Sequence, residues 1–179
     1  LGKIIETTKG RIIIGVFATN LRRIKAISAM ALKLYRDVEF VGSSMRFAKE
    51  LLEEEDGNFP HRRRQNNPVV FTSGCQGEPE SVLWREAEGS DGLLGLGKGD
   101  TVIFSSHKIP GNKKRITDVV QKLVAKGCRV IVNNGEVRGL HLDPEKVEEA
   151  FTHVSGHGQR GDVEIALDLV RPRAVIPSI

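Results

Sequence analysis

The sequence predicts an α/β fold, a mostly parallel β-sheet flanked by helices on both faces. Three observations carry that expectation. Short apolar, β-branched runs recur along the chain, and each leads through a polar or glycine-containing turn into a segment with helical periodicity. The runs are apolar at nearly every position rather than alternating, as strands covered on both faces are. The 179 residues, 39% hydrophobic and 28% charged, are enough for one domain with a sizeable core.

Taken in order, GRIIIGVF contains the first strand, with residues 12–16 almost continuously apolar. It ends in ATN, where Thr19 or Asn20 can cap a helix. Leu21, Ile24, Ile27, Ala31 and Leu34 then recur at steps of three and four, the apolar stripe of that helix. VEFVG is a second strand, and SSMRFAKELLEE a second helix opened by Ser43 or Ser44. PVVFTSG is a third strand, followed by a turn with Gly74 and Gly77 and the short helix ESVLWREAEG. GSDGLLGLGKGD is a glycine-rich loop, and DTVIFSS a fourth strand. KIPGN turns the chain into a helix over 113–126, and CRVIVNN is a fifth strand. Residues 144–150 read as helical, 153–155 as a strand end, 161–170 as a last helix, and RAVIP as the start of a final strand. In a parallel arrangement the polar turns FATN, TSGCQGE and SSHKIPGN follow strands and gather at one sheet edge, where open α/β sheets bind ligands.

Composition narrows the function. The formal charge of +4 permits an anionic partner. His61, Arg62, Arg63 and Arg64 form the densest basic cluster, read as a solvated loop or an RNA contact. Cys75 and Cys128 lack CxxC spacing, which gives neither a zinc motif nor a disulfide framework. No apolar run approaches a membrane span and no leader is visible, so a cytoplasmic protein is expected. The start at Leu1 suggests a processed protein or an excised fragment.

The motifs point to phosphate rather than to metal. GLGKG is not a nucleotide P-loop, because glycine follows Lys98 and no helix opens there. Cys75 has no histidine nearby in sequence to activate it. In TSGCQGE, Gln76 and Glu78 supply an amide and a carboxylate beside Gly77, either at the sheet edge or in a turn that caps the next helix. SSHKIPGN brings hydroxyls and His107 to a helix start, a phosphate-holding pattern that also serves as a plain turn. HVSGHG places His153 and His157 four apart without companion ligands. Its small residues leave backbone N–H groups free for an oxyanion or phosphate, and an imidazole adds a hydrogen bond or a proton near neutral pH.

GRIIIGVFATNLRRI, VGSSM, VFTSGCQGEPES, GDTVIFSSHKIPGN, HVSGHG and RPRAVIP, in that order, resemble the ribonuclease J family, in the β-CASP branch of the metallo-β-lactamase fold. The resemblance implies that residues 1–160 are a β-CASP domain and 161–179 the start of the return into the metallo-β-lactamase domain, whose core is largely absent. It implies a full-length RNA hydrolase with two zinc ions, acting on single-stranded RNA as a 5′→3′ exonuclease, an endonuclease or both, and forming homo-oligomers. The family's HxHxDH does not occur, so no metal ligand is assigned here and the isolated chain is expected to be inactive.

By the same resemblance His157 lies near the scissile phosphate, to stabilise or protonate the leaving group. Gly156 and Gly158 turn their backbone to the RNA 5′-phosphate, and His153 and Ser155 complete the HVSGH pattern. Thr19 and Asn20 stand in the FATN turn, where the family has FASN, with the Thr19 hydroxyl placed to hold phosphate. Gln76, Gly77 and Glu78 line the interface with the nuclease domain and the RNA channel. The family carries Ala-Ser after its second histidine, whereas Gly158 and Gln159 follow here. Two alternatives stay open: a non-catalytic RNA- or phosphate-binding α/β module, and a DNA-processing nuclease of the same superfamily.

Overall fold

The computed structural model describes residues 1–56, 67–90, 93–153 and 160–174. Along them run α1 (Gly2–Thr7), β1 (Ile12–Gly15), α2 (Leu21–Lys33), β2 (Val38–Val41), α3 (Ser43–Asp56), β3 (Val69–Thr72), α4 (Val82–Glu88), β4 (Thr101–Phe104), α5 (Lys113–Ala125), β5 (Arg129–Asn133), α6 (Glu136–Leu140), β6 (Val147–Ala150) and α7 (Arg160–Val170). The strands form one sheet in the order β2-β3-β1-β4-β5-β6, and every pairing is parallel. This is the α/β architecture that the recurring apolar runs predict.

The core lies in two layers, one on each face of the sheet. Successive side chains of a strand point to opposite faces. Ile12 and Ile14 therefore pack with Ile24, Ile27 and Ala31 of α2 and Met45, Ala48 and Leu52 of α3. Ile13 packs on the other side with Leu83 of α4 and Ile116, Val119, Val120 and Leu123 of α5. All three isoleucines are fully buried, each contributing about 1.5–3 kcal/mol. A run of three β-branched residues is thus required by the sheet's position between two helix layers. Arg36 ties the opposite edge together, donating to the carbonyls of Ile5, Thr8, Gly10 and Asn67 ahead of β1 and β3.

Two adjacent central strands, β1 and β4, send their chains in opposite directions. β1 leads to α2 on one face and β4 to α5 on the other. Such a divergence opens a crevice at the carboxyl ends of the strands, the usual ligand position in open α/β sheets.

The expected elements differ from the structure near the C-terminus. Residues 144–150 are not helical: Val147–Ala150 is the edge strand β6, paired with β5 from Val130↔Val147 to Asn133↔Ala150. Asp143 and Pro144 look like a helix start. Instead the Asp143 side chain accepts from Glu145 N at 2.9 Å, and its carbonyl accepts from Lys146 N and Val147 N, which makes a turn. Pairing with β5 then outweighs the local helix preference. His153 lies beyond the end of β6 rather than in a strand. Residues 171–174 have no strand structure, and the rest of RAVIP lies outside the described residues. α7 follows the expected helix, and none of its residues is buried. Among the described residues no helix is long and apolar enough to cross a membrane.

Candidate functional site

The parallel sheet delivers the turns after β1, β3, β4, β5 and β6 to one edge. After β1, Phe17 to Asn20 form a turn. Asn20 is the N-cap of α2, its side chain accepting from Arg23 N at 3.3 Å, while Thr19 is exposed. Of the two capping residues the sequence allows, Asn20 takes the role, and the exposed Thr19 has no hydrogen bond of its own among the described residues.

After β3 the TSGCQGE turn is built into the protein. Gln76 is only 1% exposed. Its Nε2 donates to Ser106 Oγ and to the His107 carbonyl, both at 2.8 Å, and its Oε1 accepts from Ile109 N at 2.8 Å. Gln76 therefore braces the SSHKI loop. The Glu78 carboxylate closes the turn by accepting from Gln76 N at 2.9 Å. Gly77 has φ +65°, and a Cβ there would lie 2.6 Å from the Arg115 carbonyl carbon, so this turn presses directly on the first turn of α5. Cys75 is buried, and burial pushes its thiol up to about 12, far from a nucleophilic thiolate at neutral pH.

The centre of the edge is a polar network that joins β4, β5 and the segment after β6. Asn133, 3% exposed, accepts at Oδ1 from Thr152 N (3.2 Å), His153 N (3.0 Å) and Thr152 Oγ1 (3.4 Å). Those backbone donors settle the amide orientation, so Nδ2 is the atom facing His107 Nδ1 at 3.1 Å. A neutral His107 then accepts at Nδ1 and carries its proton on Nε2. Glu136 Oε1 lies 3.4 Å from the same nitrogen, and its Oε2 is held by Lys108 Nζ at 2.7 Å. Protonated, His107 turns that contact into an ion pair.

The His107 and His153 rings meet edge to face, with centroids 5.0 Å apart. Nδ1 of His153 is buried with no hydrogen-bond partner among the described residues. Burial, and then the charges of Arg23 and His107, lower the His153 pKa below its ordinary value, so the ring is neutral at pH 7. Arg23 reaches in from α2: Nε donates to Ser105 Oγ at 3.0 Å and Nη2 to the Thr152 carbonyl. The arrangement offers imidazoles, hydroxyls and a guanidinium to an anion, with donors spread across the crevice.

Of the residues expected from sequence, His153, Gln76, Gly77, Glu78, Thr19 and Asn20 lie at this edge. Ser155, Gly156, His157 and Gly158 lie outside the described residues, as does the basic cluster His61 to Arg64. Ser105 is one of the SSHKIPGN hydroxyls that the sequence reading singles out, whereas Asn133 and Arg23 are not. Their one signal is position, in the residue that ends a strand or the first turn of the helix that follows one.

The family model for the ribonuclease J β-CASP domain matches residues 9–123. Proteins named ribonuclease J align along 99% of the chain. The one from Mycolicibacterium smegmatis is 34% identical, that from Thermus thermophilus 32%, and that from Sinorhizobium meliloti 31%. The chain spans about a third of the length of these relatives, 31%, 30% and 31% respectively. With the parallel sheet and the polar edge in place, the match over most of the chain makes it a member of the ribonuclease J β-CASP domain family.

Proposed function

We propose that this chain is the β-CASP part of a ribonuclease J-like enzyme that hydrolyses phosphodiester bonds of single-stranded RNA, and that its carboxyl sheet edge receives the RNA 5′-phosphate. The observation that supports this reading best is the convergence of Arg23, Ser105, Ser106, His107, Asn133 and His153 on one crevice. Neutral His153 donates a hydrogen bond without adding charge, Arg23 supplies the positive field, and Thr19 offers a hydroxyl. His157, between Gly156 and Gly158, is the proposed leaving-group residue. In the same reading Ser155 and those glycines contact the phosphate, and the Gln76–Glu78 turn faces the nuclease domain.

Residues 1–160 are assigned to the β-CASP domain and 161–179 to the return into the nuclease core. The whole enzyme is read as a cytoplasmic homo-oligomer with 5′→3′ exonuclease activity, endonuclease activity or both. Two zinc ions belong to this reading of the full-length enzyme, where they would supply an activated water. Among the described residues no group of three or more His, Cys, Asp or Glu side chains fits a metal, and no step here runs through the ions. The proposal that the chain alone is inactive rests on the missing HxHxDH motif.

The test is turnover of 5′-monophosphorylated and 5′-hydroxyl single-stranded RNA by the natural full-length protein, with zinc or manganese. Turnover that prefers the monophosphate supports the reading. Salt-sensitive RNA binding without turnover points to a non-catalytic module, and preference for DNA over RNA points to a DNA nuclease. His157→Ala is expected to abolish turnover and leave folding intact; wild-type rates in that variant remove its catalytic role.

A further inference from the structure

Arg23 stands at the crevice between β1 and β4 and is bonded across it. Its Nε donates to Ser105 Oγ at 3.0 Å and its Nη2 to the Thr152 carbonyl. The Ser105 hydroxyl donates to that same carbonyl at 2.6 Å. Thr152 is fully buried and held at every polar atom: its N–H by Ala150 O and Asn133 Oδ1, its hydroxyl by Phe104 O, its carbonyl by Ser105 and Arg23. His153 follows directly, its N–H on Asn133. Arg23 itself lies in the first turn of α2, anchored by the Asn20 cap.

This is a demanding place for a cation. Burial lowers the Arg23 pKa, and the partners described for it are neutral oxygens. A partly desolvated guanidinium is unfavourable unless its hydrogen bonds are well made. A guanidinium holds its Nε–H and Nη2–H in one rigid plane, one for each oxygen, whereas an ammonium presents its three donors from a single point on a flexible stem. The requirement is therefore for the planar fork and not for charge alone.

We propose that Arg23 is a positioning residue: its fork, with Ser105, locks the Thr152 carbonyl and thereby fixes the direction in which His153 enters the phosphate-facing edge. The proposal rests on the RNA reading above for its catalytic consequence, but the clamp itself does not.

The experiment uses the natural full-length protein with R23K, R23Q and Ser105→Ala. Backbone hydrogen exchange over residues 150–153 is followed beside turnover of 5′-monophosphorylated RNA. Both Arg23 variants are expected to exchange faster there and to lose about tenfold in kcat, the loss expected from one charge-assisted hydrogen bond, with KM less affected. Ser105→Ala is expected to show the same changes more weakly, and it carries the test if an Arg23 variant does not fold. Full rescue by R23K, or wild-type exchange in R23Q, overturns the proposal. Should the wild type turn over no RNA while R23K and R23Q still loosen residues 150–153, the clamp stands and the RNA reading falls.

Discussion

At the scale of single residues, the edge depends on groups whose partners cannot be replaced one at a time. Asn133 Oδ1 is the shared acceptor for two backbone N–H groups and a hydroxyl. Asn133→Ala removes the acceptor of the His153 N–H and leaves Thr152 only its bonds to the Ala150 and Phe104 carbonyls; it is expected to cost about 1–3 kcal/mol, read as a lower urea midpoint. His153 titrates in the opposite sense to a histidine that gains an acidic partner. Its folded pKa is depressed below the ordinary 6.5, so the unfolded chain binds the extra proton first. Stability from this group is present above that ordinary value and is lost as the pH falls through the lower folded value. Urea midpoints measured across that range are expected to fall on acidification, and His153→Gln is expected to flatten the slope. Cys75 and Cys128 are both buried, with thiols pushed up to about 12 and about 11. Neither is expected to react with a thiol reagent at pH 8 until denaturant is added.

At the scale of elements, close approach decides which residues are tolerated. Gly77 joins the turn after β3 to the first turn of α5, with φ +65° and no room for a Cβ beside Arg115. Gly77→Ala combines backbone strain with a clash and is expected to destabilise by about 1–3 kcal/mol, measurable as a fall in melting temperature. The glycine pattern in TSGCQGE is visible in the sequence, but its cause, the neighbouring helix, is not. β6 shows the converse. Its Val147-Glu148-Glu149-Ala150 follows a plausible helix start, yet it completes the sheet as an edge strand with exposed carboxylates. Glu148 pairs with Arg129 of β5 and the Glu149 carboxylate accepts from Val137 N at 2.6 Å. Charged side chains on an edge strand also discourage pairing with another chain. Local propensity misreads this segment because its partners come from β5 and α6.

At the scale of the whole molecule, the order β2-β3-β1-β4-β5-β6 turns separate loops into one surface. Arg23 and Thr152 lie 129 positions apart, and Gln76 and Ser106 lie 30 apart. Parallel pairing brings each of these pairs within hydrogen-bond reach. If that surface receives RNA phosphates, the affinity of the full-length protein for single-stranded RNA should fall linearly on a log–log plot against salt. An affinity independent of salt would place the RNA backbone away from this edge. The sequence by itself determined the α/β class, the buried strands and most helices, because apolar periodicity is a local consequence of which faces are covered. It also determined the β-CASP family, through motifs that survive in order along the chain. Only the tertiary structure decided that Gln76 braces a loop, that Asn133 and Arg23 hold Thr152, and that residues 147–150 are a strand. Those outcomes depend on which strands become neighbours, and hydrogen bonds between segments far apart in the chain leave no periodicity in the sequence.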